Sequence, residues 1–231
     1  MTDEEDVLAG LRGVPEPPPI SHELEVQLDR LAPVSTRRPV LHLALALGLA
    51  SVYAPAVVFL LTTRADLDEL PIGWRVGVAV GWSIAFAVAT YLALVPARGS
   101  VTPRWRHAMF ATLASSTGFV VVGLAIHPSG PSSYDYGWEH FTAGHACLEL
   151  GFATALVPLF VGVWMLRRTM PIRSRWIAAT LGAGSGCVGG LVLHLFCRIA
   201  DGPHIGLIHG GVVGMTAIFA ALIGPRIIDT R

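Results

Sequence analysis

The sequence predicts an all-α, polytopic membrane bundle of six transmembrane helices with a short cytoplasmic helical tail at its N-terminus. Three observations carry that expectation. The 231 residues are 53% hydrophobic and only 14% charged, with a mean hydropathy of +0.60, whereas soluble domains carry roughly 25% charged residues. Six segments reach the length of about 20 apolar residues that a helix needs to cross the hydrocarbon core. None of the six alternates polar and apolar residues with a period of two, which argues against a barrel.

The expected spans run approximately Val40–Thr62, Ile72–Val95, His107–Ile126, Gly144–Leu166, Trp176–Ile199 and His204–Ile228. Membrane-edge segments separate them, among them "TTRADLDELP", "PARGSVTPRWR", "HPSGPSSYDYGWEH" and "RRTMPIRSRW". All sixteen basic residues are arginine, which reads as the codon bias of a GC-rich genome. Their placement is lopsided. Arg37, Arg38, Arg98, Arg104, Arg106, Arg167, Arg168, Arg173, Arg175, Arg226 and Arg231 fall on one side of the bundle. The other side keeps Arg64, Arg75 and Arg198 among Asp66, Asp68, Glu69, Asp135, Glu139 and Asp201. The positive-inside rule then places both termini in the cytoplasm. Residues 1–38 are too long and too acidic for the n-region of a cleavable signal peptide.

The chain divides into a tail, 1–38, and a six-helix domain, 39–231. The tail holds eight acidic residues and four arginines around a proline run at Pro15–Pro19. Upstream of the prolines, Val7, Leu8 and Leu11 recur at helical spacing behind an acidic first turn, which suits the helix dipole. Downstream, Ser21 is a helix cap, and Leu24, Leu28 and Leu31 fall at i, i+4 and i+7. Helices this short are marginal alone in water and need a groove to lie in. Their acidic faces repel the anionic inner leaflet, so a basic protein is the expected partner. A flexible acidic linker is the competing reading.

"LVLHLFCRIADGPHIGLIHGG", Leu191–Gly211, gathers His194, Cys197, His204 and His209 in an otherwise apolar stretch. At 1.5 Å per residue, His194, His209 and Glu149 share a layer roughly 8 Å inside the outer edge. Cys147, Cys197, His145 and His204 come about one turn further out. On a continuous fifth helix His194 and Cys197, at i and i+3, share a face; His145 and Cys147 converge only if the fourth helix begins near them. Ionisable groups at such depth face the bundle interior and are functional suspects. Interhelical hydrogen bonding is the plainer role for His194, His209 and Glu149. For the cysteine pair a disulfide, a thiol sensor and half of a metal site all stay open. Thiolate and imidazole suit zinc, copper and soft heavy metals, although no compact ligand spacing is present. Cys187, mid-membrane, reads as a small buried hydrophobe. Two glycine rows, Gly182–Gly186–Gly190 and Gly206–Gly210–Gly214, are expected to bring the fifth and sixth spans together, with His194 against His209.

Three stretches carry a resemblance to a known family. They are "LDRLAPV" before the first span, "PLFVGVWMLRRTMPIRSRWIAATLGAGSG" across spans four and five, and "LHLFCRIADGPHIGLIHGG" with its LH-x-x-C element. The chain resembles the NrsF-like proteins (negative regulation of sigma F), six-span anti-sigma factors of the bacterial inner membrane. The resemblance implies that the tail holds an extracytoplasmic-function sigma factor and that Cys147 and Cys197 sense heavy metal or oxidation from the envelope side. It implies no catalysis, no direct nucleic-acid contact and no cofactor beyond a transient metal ion. The acidic and aromatic residues usual around the last loop are replaced here by "GPHIGLIHGG".

Two other functions compete. An intramembrane metalloenzyme would use His194, His204 and His209 as ligands and Glu149 as general base. A transporter would need charged or strongly polar residues near mid-bilayer; only Ser115, Ser116, Thr117, Ser185 and Cys187 stand there, and no internal repeat is evident.

Overall fold

A helix enclosed by neighbours on every side must be built from small residues, because backbones then approach without large side chains between them. Ser174–Phe196 is such a helix, with Gly182, Ala183, Gly184, Ser185, Gly186, Gly189 and Gly190 all buried. The computed structural model describes residues 38–95, 105–125, 138–167, 173–199 and 201–228. The expected tail helices, with Val7, Leu8, Leu11, Leu24, Leu28 and Leu31, lie outside the described residues.

The helices are α1 (Pro39–Leu61), α2 (Ile72–Leu94), α3 (Trp105–Ala125), α4 (Trp138–Leu166), α5 (Ser174–Phe196) and α6 (Gly210–Ile228). A 3₁₀ turn (Leu67–Glu69) lies between α1 and α2, and a π turn (His204–His209) leads into α6. All six, α6 taken with its π turn, are long and apolar enough to cross a membrane, and the architecture is all-helical among the described residues. In α5, 89% of the apolar middle is buried, against 17% in α3, so α5 is the axis of the bundle. The periphery turns large apolar side chains outward: Phe59, Leu60, Phe110, Trp164 and Leu222 are all more than two-thirds exposed. Water would not tolerate such a surface on a monomer; lipid does. The fold is that of a multi-pass membrane protein.

Each face of α5 meets a different neighbour. A β-carbon on Gly182 would collide with the carbonyl of Thr216 and the backbone of Ala217 in α6. One on Gly189 would meet the carbonyl of Gly151 in α4, and one on Gly190 the ring of Trp82 in α2. Trp82 in turn stacks on Phe119 of α3 at 3.6 Å. Thr180 hydroxyl donates to Ala108 carbonyl of α3 at 3.0 Å, and Tyr53 of α1 donates to Thr154 carbonyl of α4 at 3.1 Å. The first glycine row therefore joins α5 to α6 at Gly182 and Gly186, as expected, but Gly190 serves α2. The second row turns elsewhere: Gly206 and Gly210 lie against Val120, Phe119 and Leu124 of α3, and Gly214 has open space.

Substituting Gly182 by valine forces backbone apart along α5 and α6. The expected cost is at least about 1–3 kcal/mol, read as a lower melting temperature by size exclusion of heated, detergent-purified protein. Gly77→Ala, whose new methyl meets nothing within 4 Å, is expected to melt like the parent.

Candidate functional site

Cysteines and histidines converge at the end of the bundle where α1 joins α2 and α5 joins α6. The arrangement starts from how α5 stops. Cys197 closes the last turn through its N–H on the Leu193 carbonyl at 2.7 Å, then leaves in an extended conformation (φ −74°, ψ 128°). The final carbonyls of any helix lack intrahelical donors. Here Arg64, from the loop after α1, supplies them. Its N–H binds the Leu195 carbonyl at 3.1 Å, and its guanidinium binds the Arg198 carbonyl at 3.0 Å. The same guanidinium grips both carboxylate oxygens of Asp66 at 2.7 Å. Arg64 is buried to 3% exposure.

Although α5 ends at Phe196 and not at Ile199, Cys197 keeps a helical φ and the bond to the Leu193 carbonyl, so its β-carbon stays on the face of His194 as the i, i+3 spacing expects, and the two side chains take different partners. The His194 ring turns to α2. Its Nε2 lies 3.1 Å from the Arg75 carbonyl, and its ring packs 4.5 Å from that of Trp74. It ties α5 to α2, the structural role weighed for it. α4 likewise begins earlier than expected, at Trp138, so His145 and Cys147 sit inside a continuous helix and diverge. His145 Nδ1 pairs with Glu149 at 3.3 Å, and both side chains are about 70% exposed. The layer expected from depth alone, His194 with His209 and Glu149, does not form as a hydrogen-bonded set, since equal depth does not mean facing sides.

What does converge is Cys147, Cys197 and His204, the one set of three metal-capable donors brought together among the described residues, with their ligand atoms within 4.8 Å of one another. The two Sγ atoms are 3.5 Å apart, and Cys197 Sγ is 3.4 Å from His204 Nε2. Both thiols are free. The hydrogen bond with Cys147, and then burial, hold the Cys197 thiol above the usual cysteine range, against the pull of the His204 and His209 rings.

His204 is placed by the start of the sixth span. Asp201 accepts the His204 N–H at 2.7 Å, the reach of a helix N-cap. Pro203 sits in the first turn, where a missing N–H costs nothing. The backbone then takes a π turn, closed by the Gly210 N–H on the Ile205 carbonyl. Residues five apart lie about 140° apart around an α-helix. An i→i+5 turn instead puts His204 and His209 side by side, with ring centroids 5.1 Å apart. Both rings are buried, and His209 Nε2 has no hydrogen-bond partner among the described residues. Gly206 lets this turn lie on the backbone of α3 at Val120 and Gly123, and Gly144 of α4 abuts Ile208 and His204.

Sequence reasoning missed Arg64, which it counted only as a loop charge. An arginine two residues before an aspartate at the end of a span was the available signal.

Comparison with curated proteins and with solved structures returns no match. The family model described as negative regulator of sigma F (NrsF) matches residues 29–229, most of the chain, and the chain belongs to that family.

Proposed function

We propose that this protein is a membrane-bound anti-sigma factor that sequesters an extracytoplasmic-function sigma factor through residues 1–38 and releases it when Cys147 and Cys197 meet heavy metal or an oxidant on the envelope side. Family membership gives a negative regulator with a sigma factor as its partner. The observation that carries the finer reading is the thiol pair. Two free cysteines from separate helices stand 3.5 Å apart, at the end of the bundle opposite to the start of α1, where the tail joins. Leucine-striped acidic segments in the tail support a docking role, and the arginine bias of the loops supports a cytoplasmic tail on an inner-membrane protein, on the side of the polymerase.

The metalloenzyme reading loses its constellation: His194 is engaged by Arg75, and Glu149 pairs with His145 in an exposed position. The reading as a regulator without catalysis stands on the family.

Co-purification tests the proposal. The tagged full chain and the neighbouring sigma factor, expressed together, are expected to elute as a complex from detergent. Deleting residues 1–38 is expected to abolish recovery of the sigma factor while leaving the membrane domain monodisperse. Undiminished recovery after the deletion would refute tail-mediated sequestration.

A further inference from the structure

Seven cysteine, histidine and glutamate side chains are the sequence's candidate ligands at this end of the bundle, and the structure sorts them. His145, Glu149 and His194 are engaged elsewhere. Cys147, Cys197 and His204 converge; His209 lies outside that set, but its ring packs 5.1 Å from that of His204 and its Nε2 has no hydrogen-bond partner among the described residues. We propose that His204 and His209 complete the thiol pair into a four-donor Cys₂His₂ site for a thiophilic divalent cation of the zinc and cadmium class, assembled by the π turn. This rests on the thiol pair of the proposed function but makes a separate claim about what the pair binds and with which partners.

Three independent features support it. The first is geometry. Zinc bonds of about 2.3 Å to sulfur and about 2.0–2.1 Å to nitrogen, arranged tetrahedrally, put sulfurs roughly 3.7 Å apart and sulfur roughly 3.5 Å from nitrogen. The observed separations are 3.5 Å between sulfurs and 3.4 Å from Cys197 Sγ to His204 Nε2. Unbonded thiols need not be so close, and a disulfide would be much closer, at about 2.05 Å.

The second is the orphan. A buried polar atom without a partner costs roughly 1–3 kcal/mol, and native proteins leave few of them. His209 is 2% exposed, and its Nε2 is unpartnered. The ring meets that of His204, already in the thiol cluster, edge to face at 5.1 Å. A cation bound between the thiolates would draw the ring in from beside His204 and give that nitrogen a ligand's role.

The third is the backbone. π turns are rare and concentrate at functional sites. Here the turn spans from His204 to His209, and its consequence is that the two rings meet. An α-helical start to the sixth span would send one of them away. The donor set, two soft sulfurs and two imidazoles, selects zinc-like and softer ions over magnesium or calcium. Binding displaces the thiol protons to solvent and involves no electron transfer.

Cobalt(II) and cadmium(II) serve as probes on the reduced, full-length protein in detergent. The parent chain is expected to bind one cobalt ion, with the intense visible bands of tetrahedral cobalt and the near-ultraviolet band of thiolate ligation. His204→Ala and His209→Ala are each expected to keep the thiolate band, lose the tetrahedral visible intensity and weaken cadmium binding by more than about 100-fold, beyond the range typical of outer-shell changes. Because alanine leaves a cavity, His209→Gln provides a second variant that fills the space, and it is expected to behave likewise. His145→Ala is expected to bind as the parent does. Parent-like spectra and affinity in both His209 variants would overturn the four-donor site, as would failure of the parent to bind either ion. Sigma-factor release is read separately. Release by cadmium that ignores both histidines defeats this inference alone, and four-ligand binding without release defeats only the signalling part of the proposed function.

Discussion

A chain carrying Cys197→Ser is expected to keep its sigma factor through a cadmium or diamide exposure that empties the parent chain. Moving a two-state equilibrium from 1:99 to 99:1 requires about 5.5 kcal/mol of differential free energy. Few events at this end of the bundle supply so much. Ligation of a thiophilic ion by two thiolates does, and so does a covalent bond between the sulfurs. Oxidation by diamide joins Cys147 and Cys197 with loss of two protons and two electrons, which the diamide takes up. The sulfurs then draw from 3.5 Å to about 2.05 Å, moving the first turns of α4 against the end of α5. Serine offers a hard oxygen in place of the thiolate and forms no such bond. A reporter under control of the sigma factor is expected to rise on the order of 100-fold in the parent and to stay near its uninduced level in Cys197→Ser and Cys147→Ser. Cys187→Ala is expected to respond as the parent does, because Cys187 lies in the core packed with Trp82 and Val213. Full induction in Cys197→Ser would remove the thiol from the mechanism.

The spans were readable because lipid imposes a simple rule of length and apolarity, and all six lie near the expected boundaries. Their contacts were less readable. Spacing correctly paired Gly182 and Gly186 with α6, yet the same i+4 logic misassigned Gly190, which packs on Trp82. Depth counting put Cys147 and Cys197 in one outer layer, and they do meet. It also put His194, His209 and Glu149 in one layer, and these face different neighbours. The setting of Cys197 was hidden as well: Arg64 takes the Leu195 and Arg198 carbonyls on either side of it, tertiary contacts across more than 130 positions of chain that no local pattern announces. The meeting of His204 with His209 was hidden for another reason. A five-residue spacing diverges on the α-helix that periodicity assumes, and only the π turn makes it converge.

Arg64→Gln is expected to loosen the end of α5 and to misplace Cys197 without touching either thiol. The native guanidinium makes charge-assisted bonds to both oxygens of Asp66 and one to the Arg198 carbonyl, while the backbone N–H beside it holds Leu195. Glutamine reaches at most part of this set. Truncating one partner of a buried, hydrogen-bonded ion pair can cost 3–5 kcal/mol, but Asp66 is about one-third exposed, so a loss of about 2 kcal/mol is the better expectation. The pH dependence has a defined sign. The Arg64 hydrogen bond holds the Asp66 carboxyl below its usual range, against the opposing effect of burial. Stability from the pair is therefore present above the unfolded carboxylate pKa and lost as pH falls through the lower folded value. Acid melting curves are expected to show this contribution in the parent and to lack it in Asp66→Asn. The thiols report the local consequence. Diamide is expected to join Cys147 to Cys197 more slowly in Arg64→Gln, because the extended segment that presents Cys197 has lost its anchor. Since Arg64 follows α1 by three residues and α1 runs back to Pro39 at the edge of the tail, the hydrogen bonds of this anchor also link the Cys197 segment to the helix that carries the proposed sigma-binding tail. Arg64→Gln protein that still forms the disulfide is accordingly expected to release its sigma factor less completely than the parent. Parent-like cross-linking and release in Arg64→Gln would show that the clamp only holds a loop in place.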